Sequence, residues 1–356
     1  MDQDHSLMTI QTIYRAIHRY RSLTTHRISS LPIVILMPHS ACNCRCVMCD
    51  IWKGNHRLKQ LTEEDISGLL DSLKSFGTRQ VLMTGGEALL NPAFFRLCAI
   101  LKKHKIRISL HSTGLTIKKH AEQLVRWVDD IIVSLDGDER AHDSIRNIPG
   151  AFQKLKDALE TLRSASPRYP VTGRTVIHRY NFRVWPEIID AARDIGLDRI
   201  SFLPADVSSS AFNRKVLWND DRQHEILLSR DELPALQQVI DKLLVNHVRD
   251  FGNNFIAETP VKLQKIYQYY AAFYGLNEFP YKKCNAPWVS AVIEADGSVR
   301  PCFFHDAYGN IRTSSLNNII NSEAAVDFRR NLDIDTNDTC RKCVCYLNLS
   351  PLTDLS

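Results

Sequence analysis

Six times between residues 31 and 205 a short apolar run is followed by a helical stretch or a loop leading to one. Few folds accept that alternation, because consecutive parallel strands need a long crossover and the crossover is usually a helix. Strands are expected over residues 32–37, 80–84, 107–111, 130–135, 172–178 and 199–203. Helices are expected over 62–76, 92–104, 118–127, 151–164 and 186–195. The first has Thr62 placed as an N-cap and Ile66, Leu69, Leu70 and Leu73 on one face. The strands are apolar enough to be covered on both faces. The fold class is therefore α/β, and six units suit a partial (β/α)6 TIM-like barrel better than a complete eight-unit one. In such barrels chemistry sits on loops at the C-terminal ends of the strands. The conspicuous residues fall there: a cysteine loop after the first strand, Gly85-Gly86-Glu87 after the second, and Asp136-Gly137 after the fourth.

The flanking regions differ in character. Residues 1–30 form an N-terminal helical extension in which Ile10, Ile13, Tyr14 and Ile17 recur at helical spacing beside Arg15, His18, Arg19 and Arg21. The extension lacks the apolar core of a secretory signal, and docking on the protein's own core is expected of it rather than contact with a membrane surface. Residues 31–205 are the barrel core, and 206–283 a helical connection with helices near 231–248 and 259–274 that carry Tyr267, Tyr269, Tyr270, Phe273 and Tyr274. Residues 284–346 make a small hairpin–helix domain, and 347–356 a tail. Its hairpin is the stretch 292–302, turning at Asp296-Gly297. No run of 18 apolar residues occurs, so no transmembrane segment is expected. Net charge is +5 with Lys and Arg interleaved among Asp and Glu, which reads as a mixed solvated surface and gives no nucleic-acid patch.

Nine of the ten cysteines fall into two groups, Cys42, Cys44, Cys46 and Cys49, then Cys284, Cys302, Cys340, Cys343 and Cys345. Cys98 stands alone in a helical pattern, as a small buried hydrophobe would. Clustered cysteines without a secretion signal point to metal in a reducing cytoplasm. In the first group Cys42, Cys46 and Cys49 are spaced C-x3-C-x2-C. Three thiolates on one short loop can converge on an iron–sulfur cube and leave its fourth iron open, as reactive metal sites require. A zinc knuckle is the competing metal reading, with His39 or His56 as a fourth ligand.

This spacing resembles that of the radical S-adenosylmethionine (SAM) superfamily. The resemblance implies a 4Fe–4S cluster on Cys42, Cys46 and Cys49, with Cys44 a bystander, and S-adenosyl-L-methionine on the open iron. It implies reductive cleavage to a 5′-deoxyadenosyl radical that abstracts a substrate hydrogen. Gly85-Gly86-Glu87 resembles the family's motif for the methionine amino group, where glycine permits close backbone approach. Ser134 and Asp136 stand where relatives approach the cofactor, and Arg146 where a guanidinium pairs with its carboxylate. Ser112-Thr113-Gly114 replaces a Thr-Asn-Gly common in relatives, so a ribose contact is not expected of it.

The C-terminal set resembles the auxiliary-cluster extension called SPASM, in its shorter Twitch form. Gly297 to Cys302 matches the G-x4-C element, and Cys284, Cys302, Cys340 and Cys343 are the implied ligands of a second, auxiliary 4Fe–4S cluster. A structural zinc with the same four thiolates is the alternative. Cys345 is left as a free thiol, an alternative ligand or a hydrogen donor. The arrangement resembles 2-deoxy-scyllo-inosamine dehydrogenase, and it implies an auxiliary cluster that accepts the substrate's electron or anchors the substrate. The expected function is an oxidoreductase-type radical SAM enzyme acting on a sugar, aminocyclitol or nucleoside-like small molecule. A peptide maturase is the second reading, and a non-catalytic zinc or iron–sulfur binding module a third. The chemistry implies a low-potential electron donor such as flavodoxin or ferredoxin. Substrate-contact candidates are His111, His178, Asp206, His305 and Asp306, by location alone.

Overall fold

Six parallel strands form where the apolar runs predict them: β1 (Ile33–His39), β2 (Gln80–Gly85), β3 (Arg107–Ser112), β4 (Asp130–Ser134), β5 (Val171–Ile177) and β6 (Arg199–Pro204). The computed structural model describes residues 10–212 and 216–353; the first nine residues of the expected extension and the last three of the tail lie outside them. Helix α1 (Ile10–Thr25) precedes the barrel. The crossovers are α2 (Glu63–Ser75), α3 (Phe94–Lys103), α4 (Ile117–Trp127), α5 (Glu139–Arg146), α6 (Ala151–Ala165) and α7 (Trp185–Asp194). Thr62 caps α2 in a reciprocal box with Asp65, worth about 1 kcal/mol. Helix α5 was not anticipated, because among its eight residues Ile145 is the one large aliphatic. Its start is fixed by Asp138, whose carboxylate accepts from the Ala141 amide, and its end by Asn147 at a left-handed φ of 52°.

The barrel is hollow. Val34 and Leu36 of β1 are fully buried, whereas Ile33, Ile35 and Met37 between them are only half-buried. The same alternation runs along β5, where Thr172, Arg174 and Val176 are half-buried. One face of the sheet is therefore sealed under helices and the other lines an open interior, so the expectation of strands covered on both faces holds for the helix side alone.

The C-terminal hairpin is continuous with the barrel. Strand β7 (Ser290–Ile293) lies parallel to β1, pairing Ile33 with Ser290 and Leu36 with Ile293. Strands β8 (Ser298–Arg300) and β9 (Gly309–Asn310) follow antiparallel, giving a nine-stranded sheet ordered β6-β5-β4-β3-β2-β1-β7-β8-β9. All of β7 is buried. The connection between barrel and hairpin holds α8 (Asp220–Ile226), α9 (Leu233–Asn246), α10 (Val248–Gly252) and α11 (Pro260–Ala272). Two of its tyrosines are structural: Tyr270 accepts from the Ala205 amide at 3.0 Å and donates to the Ile177 carbonyl, and Tyr269 donates to the Ala205 carbonyl at 3.0 Å. Helix α1 is held through its polar side, not through the apolar stripe expected to dock on the core: Ile13, Tyr14 and Ile17 are exposed, whereas Arg19 and Ser22 are buried. Arg19 donates to the Pro351 and Thr353 carbonyls, and buried Arg329 to the His26 carbonyl at 2.7 Å. No helix among the described residues is long and apolar enough to cross a membrane.

Candidate functional site

The first cysteine loop leaves β1 and is gripped from two sides through its backbone. The amides of Arg45 and Val47 donate to the carbonyls of Arg146 and Ile145, each at 3.0 Å, and the Glu87 amide donates to the Ala41 carbonyl at 2.8 Å. Gly86 makes the second grip possible, since a Cβ there would lie 2.1 Å from the Ala41 oxygen. Gly85 sits at a φ of 120°, which favours glycine. Held this way, Cys42, Cys46 and Cys49 line one cavity of about 290 Å³ inside the barrel, shared with Gly85, Gly86, Ser134 and Arg146. Cys44 is buried away from it, with its amide 3.5 Å from the Cys42 sulfur. A hydrogen bond from Cys44 draws the Cys46 thiol down to about 6 against burial, and the Arg146 guanidinium, 3.5 Å away, helps.

Two of the expected cofactor contacts turn out to face elsewhere. Glu87 is completely buried and does not line the cavity. One carboxylate oxygen accepts from the Leu89 amide at 3.1 Å, and the other from the Ser112 hydroxyl and the Thr113 amide at 3.0 and 2.7 Å. It ties the loop after β2 to the loop after β3. Asp136 is likewise fully buried, ion-paired to Arg146, and its Oδ1 accepts from the Val176 amide at 3.1 Å. Asp136 therefore stands behind Arg146. The Arg146 Nε has no hydrogen-bond partner among the described residues. A buried, unpaired donor at the cavity wall is what a bound carboxylate would satisfy. Of the substrate-contact candidates, His111 and Asp206 line the cavity and His178 does not. Burial, reinforced by Arg174 and Arg146, holds His111 neutral, down to about 3.

The C-terminal thiols are collected from three separate segments. Cys284, Cys302, Cys340, Cys343 and Cys345 line a second, narrow cavity with Lys282 and His305. Asn285 zips the segments together, donating to the Leu347 and Leu349 carbonyls and accepting from the Leu349 amide. Lys282 donates to the Arg341 carbonyl at 2.7 Å, and the His305 Nε2 lies 3.3 Å from the Cys340 sulfur. Asp306 is exposed and lines neither cavity. Burial pushes the Cys302 and Cys340 thiols up to about 11 and 12, so loading metal here releases protons. Cys345 also lines the barrel cavity, together with Val344 and Phe303, so the two sites share a wall.

The donor set fits iron–sulfur clusters. Among the described residues no three His, Cys, Asp or Glu side chains converge where one metal ion would sit. A four-iron cube spreads its thiolates further apart than one tetrahedral zinc does. The zinc-knuckle candidates are engaged otherwise: the His39 Nδ1 accepts from the Ala41 amide at 3.0 Å, and exposed His56 sits 3.0 Å from the Lys53 carbonyl.

Sequence reasoning missed a latch over the first loop. Trp218 donates through Nε1 to Asp50 at 2.9 Å, and Arg222 donates to the Val47 carbonyl. Neither residue belongs to a motif; the signal is purely spatial. Arg174 was missed for the same reason, being an inward position of β5 recognisable only once the barrel's interior is known to be open.

Residues 36–192 match the profile of the radical SAM superfamily, and residues 284–344 that of an iron–sulfur cluster-binding domain, SPASM. The chain is similar to the Fe-coproporphyrin III synthase of Methanosarcina barkeri, 26% identical over 206 residues, covering 56% of this chain and 51% of that protein. It is also similar to the antilisterial bacteriocin subtilosin biosynthesis protein AlbA of Bacillus subtilis, 23% identical over 292 residues, covering 77% of this chain and 58% of that one. The chain spans about half the length of the curated relatives it matches. Among solved structures, SuiB of Streptococcus suis bound to its precursor peptide SuiA superposes with a TM-score of 0.64 at 15% identity, over 97% of this chain and 79% of that one. That likeness concerns the fold.

Proposed function

We propose that this chain, a radical SAM enzyme with a C-terminal iron–sulfur cluster-binding domain, oxidises a small molecule held in the barrel cavity by removing one of its hydrogen atoms. One observation carries the reading: a single cavity is lined on one side by Cys42, Cys46 and Cys49 and on the other by Cys345 of the auxiliary set. When bound, the cluster and S-adenosyl-L-methionine supply a 5′-deoxyadenosyl radical that takes the hydrogen. Cys42, Cys46 and Cys49 would hold the cluster through three thiolates, one fewer than its irons. The strand end at Gly85-Gly86 would present backbone to the amino group of the cofactor, with Ser134 in the same cavity wall, and Arg146 would receive the carboxylate. Glu87 and Asp136 are positioning residues, one joining two loops and the other fixing the guanidinium. Cys284, Cys302, Cys340 and Cys343 would hold the auxiliary cluster, which would supply an acceptor for the electron left on the substrate, or an anchor for the substrate. A reduced flavodoxin or ferredoxin would supply the electron that starts each turnover.

The small-molecule reading rests on size. About 290 Å³ is at the low end for a ligand pocket, and the cofactor needs part of it. What space the cofactor leaves admits nothing bulky, and a sugar, aminocyclitol or nucleoside-like compound is the class proposed on that ground. The second reading, modification of a peptide, is supported by the likeness to a bacteriocin biosynthesis protein over 77% of this chain. A non-catalytic binding module leaves the buried Arg146–Asp136 pair beside an open cavity without a purpose. The test is 5′-deoxyadenosine release from S-adenosyl-L-methionine by the anaerobically reconstituted protein under dithionite. Release that disappears in Cys46→Ala supports the reading. A fully loaded protein that releases none contradicts it.

A further inference from the structure

Beside the barrel cavity lies a second chamber of about 200 Å³, between β6, α11 and the C-terminal segment, that the proposed reaction leaves unused. Four cationic side chains line it: Arg174 from β5, Lys262 and Lys265 from α11, and Lys282. Lys262 and Lys265 are three residues apart and so fall on one helical face. Among the described residues none of the four forms an ion pair with a carboxylate. Lys265 and Lys282 donate instead to the backbone carbonyls of Tyr281 and Arg341, at 2.9 and 2.7 Å, and Arg174 to the Ser201 hydroxyl at 2.5 Å. Lys262 lies over the Tyr346 ring, 5.9 Å from its centre.

One carboxylate shares the chamber, that of Glu258, and one of its oxygens is taken by the Phe202 amide at 2.8 Å. Burial pushes this carboxyl up while the Phe202 amide, Arg174 and Lys262 oppose the shift, and one carboxylate among four cationic side chains leaves the chamber net positive. A cleft lined by one sign of charge with apolar walls concentrates the opposite sign. Leu203, Pro204, Ile266 and Val344 provide such walls. The chamber adjoins the reaction cavity across a shared wall, because Arg174, Leu203, Pro204, Val344 and Cys345 line both.

We infer that this chamber is an anion subsite for the substrate: it binds a carboxylate on Lys262, Lys265 and Arg174 while the carbon to be attacked projects past Arg174 into the barrel cavity. The substrate thus carries a carboxylate: within the proposed small-molecule class it is an acid such as a sugar acid, and in the second reading it is an acidic side chain of a peptide. This inference rests on the proposed radical reaction for its meaning, but anion binding is measurable whether or not the cofactor is cleaved.

The experiment is calorimetric titration of the anaerobically reconstituted full chain with succinate and, separately, with an N-acetylated, C-amidated triglutamate peptide. Binding of either at one site per chain, weakened roughly tenfold or more in Lys262→Gln/Lys265→Gln, supports the subsite. Lys103→Gln, on the outer helix α3, matches the charge change of the single variant Lys262→Gln and is expected to bind as the wild type does. Succinate binding identifies the source as a small acid, and binding of the peptide alone identifies an acidic peptide. Lys262→Gln by itself, at an exposed position, keeps the test readable should the double variant fail to fold. Failure of both anions to bind, or equal binding by wild type and variants, overturns the inference. Absence of 5′-deoxyadenosine release from wild-type protein that still binds the anions would count against the proposed reaction and leave the subsite standing.

Discussion

The two cysteine sites are built in opposite ways. The first draws its thiols from eight consecutive residues on one loop, held by backbone hydrogen bonds to the loop after β2 and to the end of α5. The second draws them from residue 284, residue 302 and the 340–345 loop, brought together by Asn285, Lys282 and the sheet that runs from β1 into β7. A loop whose geometry is set by its neighbours keeps its shape when its metal is lost. Segments far apart in sequence that converge on a metal need that metal, because closing long loops costs entropy that the bound cluster offsets. The first site is therefore expected to be a reactive centre on a stable frame, and the second a structural clasp as well as a redox group.

Substitutions should break that contrast unevenly. Cys42→Ala is expected to bring 5′-deoxyadenosine release down to background while leaving thermal unfolding nearly unmoved. Cys302→Ala is expected to do the reverse: cofactor cleavage persists, the melting temperature falls by several degrees, and the substrate is no longer turned over. A melting temperature equally sensitive to both would erase the distinction. Asp136→Asn leaves the Arg146 charge buried without its partner and is expected to cost about 3–5 kcal/mol, measured by urea unfolding. Gly86→Ala, by pressing a methyl group on the Ala41 oxygen, should displace the first loop alone. The measurement is iron content after reconstitution, which should fall by about four per chain with the auxiliary cluster retained.

The smallest effect concerns the seam between the two regions, where Lys59 of the first loop's far end pairs with Asp296 of the hairpin turn at 2.7 Å. Against burial, Lys59 and then the amide and hydroxyl of Ser298 hold this carboxyl down to about 2. Its folded value lies below the unfolded value of about 3.9, so its contribution is complete above about pH 4 and is lost as pH falls toward 2. The pair is largely exposed, and Lys59→Ala is expected to cost below about 1 kcal/mol at neutral pH, with the difference from wild type shrinking on acidification.

The same contrast explains what could be read from the sequence. Cys42, Cys46 and Cys49 were legible because their convergence is local, and the six strands because each is a short apolar run set between helical stretches. Glu87 and Asp136 were placed at the cofactor by the resemblance to the family's motifs, yet their burial depends on Ser112, Thr113 and Arg146 from other loops. The parallel pairing of β7 with β1 spans more than 250 residues and leaves no periodic trace. Helix α5 was missed because it is polar, although its last turn supplies both Arg146 and the carbonyls that grip the cysteine loop. The basic chamber is likewise assembled from β5, α11 and residue 282, with no run of lysines to announce it.

Iron and sulfide analysis of the reconstituted wild type, Cys42→Ala and Cys302→Ala, with Mössbauer spectra of each, tests the account most directly. Two independent four-iron clusters predict about eight irons in the wild type and about four in each variant, the spectrum of one variant complementing that of the other. About four irons in the wild type that vanish in Cys42→Ala and are untouched by Cys302→Ala, with zinc held by the C-terminal thiols, would contradict it.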